Sequence, residues 1–167
     1  MSTRISLERI GQDWKRILPD LEPNPMLPFI AFQRTARLLQ SALESGYAAS
    51  GLNSSGFDLL LTLYRSSPPE GFTPSDLAKH MAVTPASVTN RIDRLLELGL
   101  VRRELSSEDR RSLRIHLAPA GQNLVNTYLP LHLENERRLL GVLSPEEQAA
   151  LEEILRKFLI VLESSES

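Results

Sequence analysis

The chain contains no cysteine among its 167 residues. Disulfides, thiolate ligands and cysteine-based redox sensing are therefore excluded. Histidine is scarce as well, because His80, His116 and His132 are the only three and lie far apart in sequence. That spacing does not suit a metal site, so we expect no metal ligand in the chain. Apolar runs are short, and none approaches the roughly 18 residues needed to cross a bilayer.

Catalytic patterns are also missing from the sequence. We find no nucleophile spaced with a base, no phosphate loop and no metal set, so we expect no catalytic residue, no cofactor and no enzyme. The N-terminus becomes charged by Glu8 and Arg9, which is unlike a signal peptide. Together with the short apolar runs, this predicts a cytoplasmic protein that has no membrane partner.

Neither sign of charge is in large excess, since the net charge at pH 7 is −2. A total of this kind argues mildly against a nucleic-acid binder, because such domains are often basic. The arginines are nevertheless concentrated in one segment, whereas acidic residues are dense in the last third of the chain. A local basic patch can bind phosphates even in a slightly acidic protein. The clustered arginines are Arg91, Arg94, Arg102, Arg103, Arg110, Arg111 and Arg114.

Apolar residues recur at helical spacing through most of the chain, which predicts a mainly α-helical fold. A proline-rich linker follows the first of the predicted helices, and Pro130 should kink a later one. The predicted helices cover residues 7–18, a stretch from about 29 that ends at Gly46 or Gly51, about 55–66, about 119–140 and a last stretch after Ser144.

Two short helices between residues 73 and 98 begin in the same way. Thr73 and Thr84 occupy N-cap positions, and each is followed by a proline at the first helical position. Ala82 and Val83 alone separate the two helices, which is the tight turn of a helix-turn-helix. Gly99 is the expected end of the second helix.

After Gly99 the apolar period changes from helical to two. Residues 101–105 and 113–117 alternate as strands, and the polar segment between them predicts the tip of a hairpin, which forms a wing. Alternation places Arg103 on the inward face with its apolar neighbours, so we expect it to be buried and paired. An anionic ligand or Asp58 would serve as its partner, and a structural salt bridge is the alternative.

The helix that follows Thr84 has an inward apolar face. Short hydrogen-bonding side chains near its N-terminus suit base edges in a major groove, and arginines in the wing suit the flanking minor groove. A surface helix with solvated charges is the alternative, which the adjoining turn, wing and arginine cluster make less favoured. The residues predicted to contact DNA are Thr84, Ser87, Thr89, Asn90, Arg91, Arg94, Asp109, Arg110 and Arg111.

This arrangement resembles the MarR family of transcriptional regulators. The resemblance covers residues 28–163 and rests on the helix-turn-helix and on the wing segment 109–121, which reads DRRSLRIHLAPAG. It implies a winged helix flanked by N- and C-terminal dimerisation helices, and a homodimer that binds a double-stranded, pseudo-palindromic operator. One departure is Ala118, where the family usually has a threonine cap, and we expect a slightly weaker start of the next helix.

Within that family the chain most resembles the urate-responsive regulators, and residues 8–14, 47–53 and 58–66 carry this closer likeness. The likeness implies that urate or a xanthine-like anion is the effector. These residue types suit such a ligand, because arginine supplies charge and donors and a carboxylate can accept from ring N–H groups. The effector residues implied by the resemblance are Trp14, Asp58, Arg91 and Arg103.

Three of these residues also suit a role other than effector binding. Trp14 lies on the apolar stripe of its helix and suits a core position. Asp58 forms a capping pattern with Ser55 if Ser54 or Ser55 opens its helix. Arg91 suits a phosphate or a base as well as an effector.

The sequence therefore predicts a repressor that urate releases from its operator. A repressor that responds to phenolic or other aromatic acids, and a winged-helix module that binds protein, are the alternatives. The predicted segments are an extra N-terminal helix and linker (1–27), a dimerisation helix (28–54), a winged helix-turn-helix DNA-binding domain (55–118) and C-terminal dimerisation helices (119–167).

Overall fold

A computed structural model describes residues 5–20, 22, 25–105 and 112–164 of the chain. The backbone divides into two units, residues 1–45 and residues 46–167. Within the described ranges, the fold is mainly helical with one small two-stranded sheet, as predicted. Each helix in these ranges is too short or too polar to traverse a bilayer.

The described part of the N-terminal unit forms two helices, α1 (Leu7–Ile17) and α2 (Met26–Glu44). The helices pack against each other. Arg34 of α2 donates a hydrogen bond to the carbonyl oxygen of Ile5 at 2.8 Å, which ties α2 to the segment before α1. None of the residues of α2 is fully buried, so this helix keeps an open surface.

The second unit begins with a short 3₁₀ turn (Ala48–Ser50) and three helices. These are α3 (Ser54–Ser66), α4 (Pro74–His80) and α5 (Pro85–Glu97). The last two form the predicted helix-turn-helix. Their bounds lie within one or two residues of the bounds expected from the sequence.

Threonine caps fix both helices of the helix-turn-helix, as predicted. The Thr84 hydroxyl accepts from the first turn of α5, and Thr73 and Asp76 form a reciprocal capping box on α4. In that box the Thr73 hydroxyl donates to the Asp76 carboxylate at 2.6 Å, which is the main cause that lowers the pKa of Asp76. The turn between the helices needs a left-handed residue, and Ala82 adopts φ 51° there.

The start of α3 differs from the prediction. A cap at Ser54 or Ser55 is wrong, because Asn53 is the N-cap and its side-chain oxygen accepts from the N–H of Gly56 at 3.0 Å. Ser55 instead donates its hydroxyl to the same oxygen at 3.1 Å. Asparagine and serine are about equally favourable at an N-cap position. Asn53 acts as the cap because its backbone is extended and it lies directly before the first turn of α3. Asp58 therefore does not cap the helix with Ser55.

The wing consists of β1 (Val101–Leu105) and β2 (Leu113–Leu117), which pair antiparallel as predicted. Phe72, in the loop before α4, forms a bridge to Ile115 on the other side of β2. Backbone hydrogen bonds of 3.2 and 2.8 Å join these two residues. The base of the wing is thereby anchored to the helix-turn-helix.

Two long helices complete the described chain, α6 (Pro119–Leu140) and α7 (Pro145–Ser164). α6 continues through Pro130, and whether it bends there stays a prediction. Ala118 precedes α6, and no side chain caps that helix, in line with the departure noted in the sequence. Ser144 caps α7 through a reciprocal pair of hydrogen bonds, as expected.

The core of the second unit lies where α3, α5 and the base of the wing meet. Packing of α5 into this core fixes which of its faces remains in solvent. The apolar residues of this buried cluster are Tyr47, Leu52, Phe57, Leu59, Leu60, Leu63, Phe72, Leu77, Ala78, Val88, Ile92, Leu95, Leu100, Val101, Ile115 and Val125.

Gly121 brings the start of α6 against the segment between α5 and β1. A Cβ atom at this position would lie 2.1 Å from the carbonyl oxygen of Leu100. By helix propensity alone, alanine would stabilise the helix relative to glycine by about 1 kcal/mol. The added Cβ atom would, however, clash with backbone and force the packed elements apart. We expect Gly121→Ala to lower the free energy of unfolding by about 1–3 kcal/mol in chemical denaturation.

Gly11 in α1 offers a matched control for this substitution. A Cβ atom there would meet a side-chain carbon of Leu27 at 3.5 Å, which is an ordinary contact. Gly11→Ala should therefore raise the free energy of unfolding by up to about 1 kcal/mol. If Gly121→Ala stabilised the protein to the same extent, this result would contradict the close packing of α6 against the backbone of Leu100.

Candidate nucleic-acid interface and adjoining cavity

α5 turns one face to the core and the other to solvent. Val88, Ile92 and Leu95 are at most 1% exposed, as predicted for the inward face. Exposed residues lie three and four positions apart on the opposite side, which we call the outer face of α5. It consists of Ala86, Thr89, Asn90, Asp93, Arg94 and Glu97.

Two of the hydroxyl groups predicted to contact DNA form hydrogen bonds at the start of α5 itself. Thr84 is exposed, and its hydroxyl accepts from the N–H of Ser87 at 3.3 Å. The Thr89 hydroxyl donates to the carbonyl oxygen of Pro85 at 3.1 Å. Ser87 is half-buried beside the outer face. The helix start is thus held by its own side chains.

Asn90 and Arg94 are two polar groups of the outer face that stay available, and Glu97 is a third. All three are exposed, and none has a hydrogen-bond or ion-pair partner among the residues that the structure describes. An amide offers a donor and an acceptor side by side, and a guanidinium offers a charge with several donors. This combination suits the edge of a base and a phosphate.

The tip of the wing, with Asp109, Arg110 and Arg111, lies outside the described residues. The predicted contact of these three with DNA therefore stays a prediction. At the described part of the wing, the carboxylate of Glu104 lies 3.3 Å from the guanidinium of Arg102. Charges of both signs thus alternate along the exposed strand face.

A cavity of about 180 Å³ lies between the start of α3 and the middle of α5. Two guanidinium groups and the first turn of a helix make its surroundings positive, which suits an anion. Side chains of the outer face form part of its wall. The lining residues are Asn53, Ser55, Gly56, Asn90, Arg91, Arg94 and Leu95.

Arg91 connects the cavity to α3. Its Nη1 atom lies 3.8 Å from Oδ2 of Asp58, and 18% of the Arg91 side chain is exposed against 53% for Asp58. The distance is that of a loose ion pair rather than a hydrogen bond. Two residues implied as effector ligands are thus brought together. Arg91 lies beside the outer face rather than on it, so its contact with DNA stays a prediction.

The prediction that Arg103 is buried is wrong. Its side chain is 37% exposed, because the wing projects beyond the core after Val101, the one buried residue of β1. Arg103 pairs with Asp93 of α5 rather than with Asp58, and its Nη2 atom donates to Oδ1 of Asp93 at 2.9 Å. The structural salt bridge considered for Arg103 is therefore present, and its contact with an effector stays a prediction.

Trp14 lies on α1, in the N-terminal unit, and is half-buried. Together with Ile5, Ile10, Asp13 and Ile17 it lines a pocket of about 150 Å³ that is mostly apolar. Its position on the apolar stripe of α1 agrees with a packing role. Its contact with an effector stays a prediction.

Sequence reasoning missed four residues of this region. Asn53 precedes a helical run and is itself a favourable N-cap residue, so the sequence contains the signal needed to predict the start of α3. Ser55 and Gly56 line the cavity because α3 packs on α5, and no local pattern reveals that packing. Asp93 finds its partner on the strand that follows α5, and helical spacing rules do not cover such a pair.

The comparisons with known proteins agree with this geometry. Residues 50–112 match the profile of the MarR family. The chain is 34% identical over 155 residues to the HTH-type transcriptional regulator PecS of Dickeya dadantii, and the match covers 93% of each chain.

Solved structures extend the similarity beyond residues 50–112 to most of the chain. Sco3205, a MarR family transcriptional regulator from Streptomyces coelicolor in complex with DNA, has 27% identity and a TM-score of 0.77, with 85% of this chain and 93% of that chain covered. BpsR of Bordetella bronchiseptica, whose DNA binding is regulated by 6-hydroxynicotinic acid, has 25% identity and a TM-score of 0.69, with 77% of this chain and 89% of that chain covered. The chain belongs to the MarR family of transcriptional regulators.

Proposed function

We propose that this chain is a transcriptional repressor that binds a pseudo-palindromic operator as a homodimer and leaves it when a small organic anion binds. One observation carries the proposal: Asn90 and Arg94 belong both to the outer face of α5 and to the wall of the cationic cavity. A surface that can meet DNA and a site that can hold an anion thus share side chains. The similar proteins are transcriptional regulators, which supports a regulator rather than an enzyme.

In this proposal α5 is the recognition helix and enters a major groove. Asn90 has the donor and acceptor that match the edge of an adenine, and Arg94 has the charge that a phosphate attracts. Arg110 and Arg111 of the wing would reach the flanking minor groove. Sco3205, whose fold is similar, is solved in complex with DNA, which supports DNA binding by this chain.

Exposed apolar side chains support the homodimer. α7 buries none of its described residues, and Ile154, Phe158 and Leu162 are at least half exposed. α2 likewise leaves Phe29 and Phe32 more than half exposed. Pairing across a twofold axis would remove such surfaces from water. The two recognition helices would then read half-sites about 10 bp apart.

The effector would act through the cavity. An anion bound there would engage Arg94, which the operator also needs, so the two ligands would compete for one guanidinium. It would also draw Arg91 away from Asp58 and shift α5 against α3. By linkage, the effector weakens DNA binding by the same factor by which DNA weakens effector binding.

Urate and related purine anions are the first candidates for the effector. The resemblance to urate-responsive regulators supports them, and Asp58 offers an acceptor for ring N–H groups close to Arg91. Single-ring aromatic acids are the second candidates, and the size of the cavity favours them. A protein cavity of about 150 Å³ holds benzene, so the cavity of about 180 Å³ here is nearer to one ring than to two. The regulation of BpsR by 6-hydroxynicotinic acid agrees with this second class.

Asp58→Ala separates the two classes of effector. If urate binds, loss of a charged acceptor should weaken its affinity by about 10- to 100-fold. If a single-ring acid such as salicylate binds, removal of a carboxylate that competes for Arg91 should strengthen its affinity. Calorimetric titration of each compound into the protein measures both effects.

Asp93→Ala is the matched control, because Asp93 is also a helical carboxylate paired with an arginine, but its partner Arg103 does not line the cavity, whereas Arg91, the partner of Asp58, does. Its effect on effector affinity should stay within about twofold. The effector part of the proposal is wrong if neither urate, xanthine, salicylate nor 6-hydroxynicotinic acid binds or releases operator DNA. Repression itself is tested by transcription in vitro from a promoter that carries the operator, where the protein should lower the yield of transcript.

A further inference from the structure

Thr89 presents its two functional groups to different surroundings. The side chain is exposed on the outer face of α5, while its hydroxyl donates to the carbonyl oxygen of Pro85 at 3.1 Å. A hydroxyl has one proton, so this bond leaves no donor for an acceptor outside the helix. Thr89 can therefore offer a partner its methyl, or accept a hydrogen bond at its hydroxyl oxygen, but it has no proton left to donate.

Ala86 enlarges this small apolar area. It is exposed and lies three positions before Thr89, which makes the two residues neighbours on the helix surface. Asn90, four positions after Ala86, adds an amide on the same face. The N-terminal half of α5 thus combines a methyl patch with one amide.

In a major groove the C5-methyl of thymine is the one apolar group on a base edge, and threonine and alanine methyls contact it. The N-terminal residues of a recognition helix are those that meet base edges. We infer that Thr89, together with Ala86, recognises the C5-methyl of a thymine in each operator half-site. This rests on the proposed function and adds the base feature that the helix selects.

Deoxyuridine gives a direct test, because it pairs like thymidine and lacks only the methyl. The operator is first obtained by selection from a pool of randomised duplexes with the wild-type protein. Each thymine is then replaced in turn. One position in each half-site should show a loss of affinity of about fourfold, and replacement in both half-sites a loss of about 15-fold.

Two variants at position 89 separate the methyl from the hydroxyl. Thr89→Ser keeps the hydroxyl but loses the methyl, so its preference for thymine over deoxyuridine should fall well below that of the wild type. Thr89→Val keeps a methyl in the same place and should retain the preference for thymine. Circular dichroism of both variants verifies that the helical content is unchanged.

The opposite pattern, with the preference kept in Thr89→Ser and lost in Thr89→Val, would show that the hydroxyl reads the base and would overturn the inference. Wild-type protein that binds its selected duplex but tolerates deoxyuridine at every position would overturn the inference alone. Wild-type protein that selects no duplex at low salt would overturn the proposed function with it.

Discussion

Arg94→Ala should weaken operator binding by about 100-fold in low salt. Arg94 is exposed on the outer face of α5 and has no acidic partner among the residues that the structure describes. Its charge is therefore available to a phosphate. Loss of one such contact costs about tenfold in affinity, and a twofold dimer loses two. Fluorescence anisotropy with a labelled operator duplex measures the change.

The salt dependence of binding distinguishes a phosphate contact from a general loss of charge. Removal of two contacts should reduce the slope of log affinity against log salt by about 2. Arg65→Ala is the matched control, since Arg65 is an exposed arginine in the last turn of α3, far from its capped start. It should change affinity less than about threefold. Equal effects of the two substitutions would show that Arg94 makes no specific contact.

Phe158→Glu should separate the dimer into monomers. Phe158 is 51% exposed on α7, and Ile154, one turn earlier, is 50% exposed. In the proposed dimer both lie in the interface, so the substitution would bury an unpaired carboxylate in each protomer, which costs several kcal/mol. The dissociation constant of the dimer should rise at least about 1,000-fold. Light scattering coupled to size exclusion at micromolar concentration gives the mass.

Ala149→Glu provides the control for charge on the same helix. Residue 149 lies nine positions before residue 158 and is therefore on the opposite side of α7. This variant should remain dimeric and keep its operator affinity, whereas Phe158→Glu should lose both. A monomeric wild-type protein, or a dimeric Phe158→Glu variant, would contradict the proposed assembly.

Local patterns in the sequence were sufficient to predict the helices and strands that position α5. Thr73 and Thr84, each followed by proline, located two helices to within a residue or two, because a cap depends on a few adjacent positions. The apolar spacing of Val88, Ile92 and Leu95 identified the buried face. The shift to a period of two located both strands of the wing.

Such local patterns could not predict the contacts between elements. Alternation assigned Arg103 to a face of its strand, but how far that face extends over the core depends on tertiary packing, and the wing leaves the core early. The partner of Arg103 is Asp93, on a different element. Asp58 suited a cap in sequence, whereas packing of α3 on α5 places it near Arg91.

The proposed function requires that the outer face of α5 contacts duplex DNA. An NMR titration of ¹⁵N-labelled protein with the selected operator duplex tests this directly, because amide shifts locate the surface in contact. The largest shifts should fall on residues 84–94 and on the wing, while α7 should be unaffected. Shifts confined to α6 and α7, or no shifts with operator in excess at low ionic strength, would contradict it.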